Sequence, residues 1–113
     1  MPRSLQTYFA DLQLSIEAIE EFTRDRDFQN FEQNRMLRSA VRGELMVIGE
    51  AMNQMLRHFP ETTARIGLAR RIVDFRNLLI HEYGEVDDQV VWSIVIGYLP
   101  SLQAEINAWK SNP

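Results

Sequence analysis

The chain contains no cysteine, which removes disulfides, thiolate catalysis and Cys-based zinc sites at once. A chain without cysteine suits a reducing cytoplasm, and this is the compartment that we expect. No apolar run approaches the roughly 20 residues needed to cross a bilayer, and the first residues lack the apolar stretch of a signal peptide. We therefore expect no membrane partner.

Lysine is almost absent as well, since Lys110 is the single Lys among 12 basic residues and the others are Arg. The net charge of −4 argues against binding of nucleic acid by bulk charge. Arg, however, grips phosphate and carboxylate with a planar fork, whereas Lys mostly improves solubility. An acidic protein of this composition can still hold a phosphate group locally.

Glycine and proline are few, and no alternation typical of strands persists. Apolar residues instead recur at spacings of three and four, which predicts four main helices in one domain over residues 1–113. The first expected helix begins after Ser4 as N-cap. The second runs from Asp27 or Asn30 to His58, and the third from Leu68 to Tyr83. The fourth runs from Gln89 to Lys110, with Asp87 or Asp88 as its cap. The fold class is an all-α antiparallel bundle of four to five helices.

Some residues do not fit a simple bundle. Pro100 lies inside the fourth predicted helix and should kink or split it. Gly43 and Gly49 should each weaken the second helix by about 1 kcal/mol relative to Ala, unless a partner helix approaches closely. Apolar residues outside the main seams, among them Leu14 and Met36, favour a dimer, although single exposed apolar residues are common.

The stretch RNLLIHEYG, from Arg76 to Gly84, places a guanidinium, an imidazole and a phenol close together in sequence. On a helical wheel Arg76 falls inside the apolar arc, whereas His81 lies about 140° away on the polar face, with Asn77 and Asp74. A charge in an apolar position needs an acidic partner, a solvent-lined cleft or a bound anion. Either Asn77 or Asp74 is placed to orient the imidazole.

These groups suit cleavage of RNA by its own 2′-OH, a reaction that needs no metal. His exchanges a proton near neutrality, Arg stabilises extra negative charge on a phosphate, and Tyr donates a hydrogen bond, stacks on a base or accepts a transferred group. No pair of His at i, i+4 and no cage of His and carboxylates is present, so we predict no metal and no cofactor. On spacing alone, however, the favoured interpretation is an Arg paired to an acid and a surface His closing a helix.

The same stretch resembles the Arg-x4-His-x-Tyr motif of HepT-like toxins, a branch of the HEPN superfamily. The segments VIGEAMNQM (47–55) and VDDQVVWSIVIGYLPSLQAEI (86–106) are similar to that family's long second helix and last helix. The resemblance therefore covers nearly the whole chain. It implies a HEPN-like helical bundle that forms a homodimer, with the motifs of both subunits meeting in one cleft.

The resemblance also implies a function, namely the toxin of a type VII-like toxin–antitoxin pair that acts as a metal-independent endoribonuclease on tRNA or mRNA. Arg76 and His81 would be the catalytic pair, with Asn77 beside them. Tyr83 would accept AMP from an MNT-type nucleotidyltransferase, the antitoxin. Glu50, in the Gly-Glu-Ala segment, is a candidate partner of Arg76 or a bundle-stabilising residue. The alternative is a non-catalytic helical dimer that binds a nucleotidyltransferase or a nucleotide.

Other charged residues are harder to assign from sequence. Arg35, Arg38 and Arg42 form a stripe on the second helix that suits either an RNA backbone or a solvated face beside acidic neighbours, and the solvated face is the favoured interpretation. His58, close to Pro60, is interpreted as structural or incidental.

Overall fold

A computed structural model of the protein describes residues 3–82 and 85–113. This part of the chain is helical, without strands, which confirms the all-α fold class. Its elements in chain order are α1 (Leu5–Thr23), α2 (Phe28–Gln33), α3 (Arg35–His58), α4 (Thr62–Arg65), α5 (Ala69–His81), α6 (Asp88–Ser93), a π-helical turn (Ile94–Tyr98) and α7 (Leu99–Ser111). The four main helices predicted from periodicity correspond to α1, α3, α5 and the continuous run from α6 to α7.

The predicted second helix is in fact two helices, because Asn34 interrupts it. The Asn34 side-chain oxygen accepts a hydrogen bond from the Leu37 N–H at 3.0 Å and thereby caps α3. Asp27 caps the short α2 through reciprocal hydrogen bonds with Asn30. The prediction of one helix was wrong because the residues flanking Asn34 are polar, so the apolar spacing carries no signal there.

The other helix ends agree closely with the sequence. Ser4 and Asp87 cap α1 and α6 as predicted, since the side-chain oxygen of each accepts a backbone N–H two or three residues later. Helix α5 begins at Ala69, one residue after the predicted start, and ends at His81. The predicted terminator Gly84 lies outside the described residues.

Pro100 distorts the last helix without ending it. Pro has no N–H to offer the carbonyl four residues earlier, so the regular hydrogen-bond ladder is interrupted at this point. The preceding π-helical turn contains the extra residue that accommodates the interruption, and the Leu99 N–H bonds the Ile94 carbonyl five residues back. The helix then continues to Ser111.

The core is built from the apolar seams that the sequence predicts. Helix α3 packs against both α1 and α5, and α7 packs against α1 and α4. The buried seam residues include Phe9, Leu12, Ile16, Ile19, Val41, Leu45, Ile48, Met52, Met55, Ile72, Leu79, Val91, Val95, Leu102, Ile106 and Trp109. Because α3 contributes to both packing interfaces, it fixes the position of α5 and of the motif that α5 carries.

Several large apolar side chains remain on the surface of the described chain. The off-seam residues Leu14 and Met36, noted from sequence, are both exposed. Val47 on α3 and Ile80 on α5 are each 48% exposed. Within the described residues, every helix falls short of the length and apolar content that a membrane crossing requires.

Candidate functional site

Helices α3 and α5 bring together Glu50 and Arg76, which are 26 positions apart in the chain. Nη2 of Arg76 donates to Oε2 of Glu50 in an ion pair. The Arg76 side chain is only 16% exposed, while that of Glu50 is 54% exposed. Arg76, the charge on the apolar arc of the helical wheel, thus has an acidic partner. The carboxylate of Glu50 is the more solvent-exposed group of the pair.

Gly49 makes the close approach of α5 to α3 possible. A Cβ atom at this position would lie 2.7 Å from Cγ of Arg76 and 3.3 Å from the carbonyl oxygen of Ile72. A side chain at residue 49 would therefore push α5 away from α3. The close approach of α5 at Gly49 is therefore the packing reason for a glycine inside this helix. Gly43 has open space around it, and nothing in the structure explains its presence.

Asn77 lies next to Arg76 in space as well as in sequence. Nη1 of Arg76 donates to Oδ1 of Asn77 at 2.6 Å, so the guanidinium is held by two side chains at once. The amide oxygen of Asn77, one of two groups considered for orienting the imidazole of His81, therefore contacts the guanidinium instead. Both terminal nitrogens of Arg76 are thereby fixed in direction.

His81 is the last residue of α5 and is exposed, as is Asp74 on the same helix. Neither makes a side-chain hydrogen bond to another residue within 3–82 or 85–113. A helix end leaves an imidazole free to reach solvent or a bound substrate. The structure thus brings Arg76, Asn77 and Glu50 into contact but does not join them to His81 within one chain. The remaining motif residue, Tyr83, lies outside the described residues.

Two open grooves meet at Glu50. A groove of about 400 Å³ is lined by Gly43, Met46, Val47, Glu50, Arg76 and Ile80. A larger one of about 690 Å³ extends along α3 toward α1 and is lined by Arg3, Tyr8, Asp11, Val47, Glu50, Ala51, Gln54 and His58. Arg76 lines the first groove and not the second, so a ligand that binds Arg76 would lie in the first. His58, interpreted as incidental from sequence, lines the second groove and is exposed.

The arginine stripe on α3 is not the surface that the sequence suggested. Arg42 is buried, with a side chain only 9% exposed, and its Nη2 donates to the Val86 carbonyl at 2.9 Å and to Asp88 at 2.6 Å. Nε of Arg38 lies 3.9 Å from Oδ2 of Asp88, and Nη1 of Arg38 donates to the carbonyl of Glu32. Both the RNA-backbone hypothesis and the solvated-face interpretation are therefore wrong for Arg42. Its acceptors come from α6 and the residues before it, and sequence spacing gives no signal of that contact.

Within the described residues, no group of three or more His, Asp or Glu side chains is placed to hold a metal ion. Among the titratable groups of residues 3–82 and 85–113, Tyr98 in the π-helical turn has a clearly shifted pKa. Burial of its phenol, and then the negative charge of Glu105, raise the pKa of Tyr98 well above its ordinary value. The Tyr98 hydroxyl has no hydrogen-bond partner among the described residues.

The structure is a helical bundle in which a largely buried arginine, paired to a glutamate, lies beside a groove on the helix that ends in His81. The chain belongs to the family described as Ribonuclease HepT-like, whose profile matches residues 12–109. This membership confirms the family resemblance that the sequence suggested.

Known relatives are similar over almost their whole length. The chain is 36% identical over 105 residues to a protein of Thermococcus cleftensis named "Probable ribonuclease HepT", covering 93% of this chain and 94% of that one. It is 33% identical over 104 residues to a "Putative RNase" of Methanocaldococcus jannaschii, covering 92% and 94%. No solved structure matches the chain significantly.

Proposed function

We propose that this protein is a metal-independent endoribonuclease in which Arg76 and His81 are the catalytic pair. The observation that carries the proposal is the Arg76 guanidinium, which is largely buried, fixed by Asn77 and Glu50, and yet open to a groove. Membership of a ribonuclease family and relatives named as ribonucleases support RNA as the substrate. Whether tRNA or mRNA is cut depends on contacts beyond this site.

The chemistry follows from the two side chains. The imidazole of His81 takes the proton of a ribose 2′-OH, and the 2′-oxygen attacks the adjacent phosphorus. The bond from phosphorus to the 5′-oxygen breaks, leaving a 2′,3′-cyclic phosphate, and the departing oxygen takes a proton from solvent or a second imidazole. Arg76 binds the phosphate and stabilises the negative charge that builds up on it. No step requires a metal ion.

Glu50 occupies the place where a substrate phosphate would bind. Because its side chain is 54% exposed, exchange of its carboxylate for a phosphate keeps Arg76 neutralised and returns the carboxylate to water. Glu50 thus holds the guanidinium in position while the groove is empty. Asn77, which contacts the other terminal nitrogen, keeps the guanidinium oriented during the exchange.

A homodimer would complete the site. On a regular helix Arg76 and His81 point about 140° apart, so one copy does not present both to the same phosphate unless the site lies at the helix end. Val47 and Ile80, exposed beside Arg76, form an apolar rim that suits a second copy of the chain. Two copies would bring two guanidinium and two imidazole groups into one cleft.

The proposal includes control by a partner protein. As the toxin of a type VII-like toxin–antitoxin pair, the protein would be neutralised by an MNT-type nucleotidyltransferase. The phenol oxygen of Tyr83 would attack the α-phosphorus of ATP, and pyrophosphate would leave. The added AMP brings bulk and negative charge to the motif, two residues from His81, and so repels an RNA phosphate.

The test is cleavage of total RNA in excess EDTA by wild type, Arg76→Ala and His81→Ala, each confirmed to be folded. Matched controls are Arg70→Ala, which removes an exposed Arg from the same helix, and His58→Ala, which removes the other His. We expect both motif variants to lose activity by about a hundredfold or more, because each removes a group used in the transition state. Both controls should retain it.

Two results would contradict the proposal. Equal cleavage by wild type and all four variants would show that the activity does not depend on Arg76 and His81. No cleavage by wild type, once mass spectrometry has shown that the Tyr83 peptide carries no AMP, would favour the non-catalytic dimer that binds a nucleotidyltransferase or a nucleotide.

A further inference from the structure

The larger of the two grooves beside Glu50 is not used by the proposed chemistry. Its volume of about 690 Å³ falls within the range of about 300–1,000 Å³ that is typical of sites for small molecules. The groove is lined by α1 and α3 and shares Val47 and Glu50 with the groove that Arg76 lines. An RNA strand with one phosphate on Arg76 can therefore place a neighbouring nucleoside in the larger groove.

The charges of the larger groove favour a neutral group over a second phosphate. Nη1 of Arg3, which lines the groove, is already paired with Oδ2 of Asp11 at 2.5 Å. The same guanidinium lies over the ring of Tyr8, 5.6 Å from the ring centroid. Asp11 and Glu50 together outnumber Arg3, so the lining carries an excess of negative charge. A phosphate would be repelled here, and the part of a nucleotide that fits is the base.

Gln54 connects the two grooves through Glu50. Nε2 of Gln54 donates to Oε1 of Glu50 at 3.0 Å, while Oε2 of Glu50 accepts from Arg76. When a phosphate replaces Glu50 on Arg76, the hydrogen bond from Gln54 keeps the freed carboxylate at the junction of the grooves. This carboxylate and the amide oxygen of Gln54 are both acceptors, so together they suit a ligand that offers N–H groups.

We propose that the larger groove is a subsite for the base next to the scissile phosphate, and that Glu50 and Gln54 select a base with an exocyclic amino group. Adenine, cytosine and guanine carry such a group, whereas uracil has a carbonyl oxygen where cytosine has its amino group, and a carboxylate repels that oxygen. The base lies at the Glu50 end of the groove. His58, eight residues and therefore about 12 Å further along α3, takes no part.

The inference rests on the proposed ribonuclease function, because it names the substrate preference of that same site. Coverage of the larger groove by a second copy of the chain is the competing explanation. The experiments below distinguish the two.

The first experiment sequences the ends of the fragments that wild type, Gln54→Ala and Asn53→Ala release from a random RNA pool in EDTA. We expect wild type to disfavour uridine at one position beside the cut by about tenfold, since a good pair of hydrogen bonds to a base discriminates by that much or more. Gln54→Ala should reduce the preference below about threefold. Asn53→Ala removes a half-buried amide that does not line the groove, and it should keep the preference.

This comparison separates selection from a purely structural role. Gln54 is half-buried and Ala favours a helix, so Gln54→Ala is expected to fold. A structural role of Gln54 would change the rate on all sequences alike and leave the preference for the neighbouring base untouched. A role in selection changes the preference itself.

The second experiment measures nucleotide binding and does not require cleavage. The side-chain amide of Gln54 gives its own NMR signal, identified by its loss in Gln54→Ala. The probes are the 3′- and 5′-monophosphates of adenosine, cytidine, guanosine and uridine. We expect the signal to shift with the first three nucleosides at about tenfold lower concentration than with uridine. Arg76→Ala should weaken binding of all four, because the phosphate loses its partner.

The outcomes distinguish this inference from the proposed function. If Arg76→Ala abolishes cleavage but wild type cuts beside uridine as readily as beside the other bases, the subsite is overturned and the ribonuclease stands. The same holds if Gln54→Ala keeps the preference. If wild type cleaves nothing, the ribonuclease proposal fails and the NMR titration decides. Shifts that depend on the base then support the subsite, whereas equal or absent shifts overturn it. A Gln54 signal that shifts on dilution to the monomer, and with no nucleotide, shows that a second copy covers the groove and also overturns the inference.

Discussion

The two glycines inside α3 provide a matched pair of substitutions, because they share a helix but not an environment. An alanine at residue 43 would meet nothing within 4 Å, whereas an alanine at residue 49 would press against Arg76 and the Ile72 carbonyl. Gly43→Ala should therefore show only the gain in helix propensity. Gly49→Ala should show the same gain together with the cost of overpacking.

The magnitudes follow from these contacts. Replacing Gly by Ala inside a helix stabilises it by about 1 kcal/mol, so Gly43→Ala should raise the free energy of unfolding by that amount. Overpacking of a well-packed contact costs about 1–3 kcal/mol, and this cost should separate Gly49→Ala from Gly43→Ala. To restore normal van der Waals contact, Cβ and Cγ of Arg76 have to move by about 1 Å or more, which should lower RNA cleavage by up to about a hundredfold.

Urea denaturation measures the first effect, at a protein concentration where sedimentation shows a monomer for both variants. Cleavage of RNA in EDTA measures the second, with Arg76→Ala as the reference for complete loss. The reasoning is refuted if Gly49→Ala gains as much stability as Gly43→Ala, because α5 would then not approach α3 as described. Full activity of a folded but destabilised Gly49→Ala would refute the link between this contact and the position of Arg76.

Three further predictions concern the caps, the core and the surface. Asn34→Ala should lower the free energy of unfolding in urea by about 1 kcal/mol through loss of the α3 cap, and no change would mean that the cap is unimportant. Tyr98→Phe should leave stability at pH 7 unchanged or higher. The substitution should also reduce the loss of stability above pH of about 10. In the wild type the pKa of Tyr98 is higher in the folded than in the unfolded chain, so the unfolded chain releases the phenol proton first and is favoured as the pH rises. An unchanged pH profile of the unfolding midpoint would contradict this. Ile80→Glu should turn a dimer into a monomer in sedimentation experiments, whereas Leu14→Glu on α1 should not, and dimers in both would exclude the Val47–Ile80 rim as the interface.

Periodicity predicted the main helices because each main helix buries a continuous apolar seam, which is a local property of the sequence. The unusual position of Arg76 was visible for the same reason, since a charge on the apolar arc of a wheel needs no tertiary information to be noticed. Its contact with Glu50 was one of two roles proposed for that residue, and the ion pair supports that role. The catalytic roles of Arg76 and His81 stay predictions.

The break at Asn34 and the burial of Arg42 were not predictable in this way. Asn34 caps a helix among polar residues, where one more polar side chain adds no pattern. Arg42 lies in an i, i+3, i+7 stripe that is typical of a helix surface. It becomes buried only because Asp88, 46 positions later, returns to α3 when α6 begins. Spacing within one helix carries no information about such a distant acceptor.

The arrangement around Arg76 owes its geometry to α3, a helix that the motif does not include. Gly49 admits α5, and Glu50 forms the ion pair with Arg76. Each contact is weak as a sequence signal, because a glycine and an acid are both ordinary on a long helix. An Arg-x4-His-x-Tyr spacing without this support would be ordinary helix surface. Spacing alone favoured an Arg paired to an acid and a surface His closing a helix, and the structure has both features. The case for a site therefore rests on the family to which the chain belongs and on the groove beside Arg76.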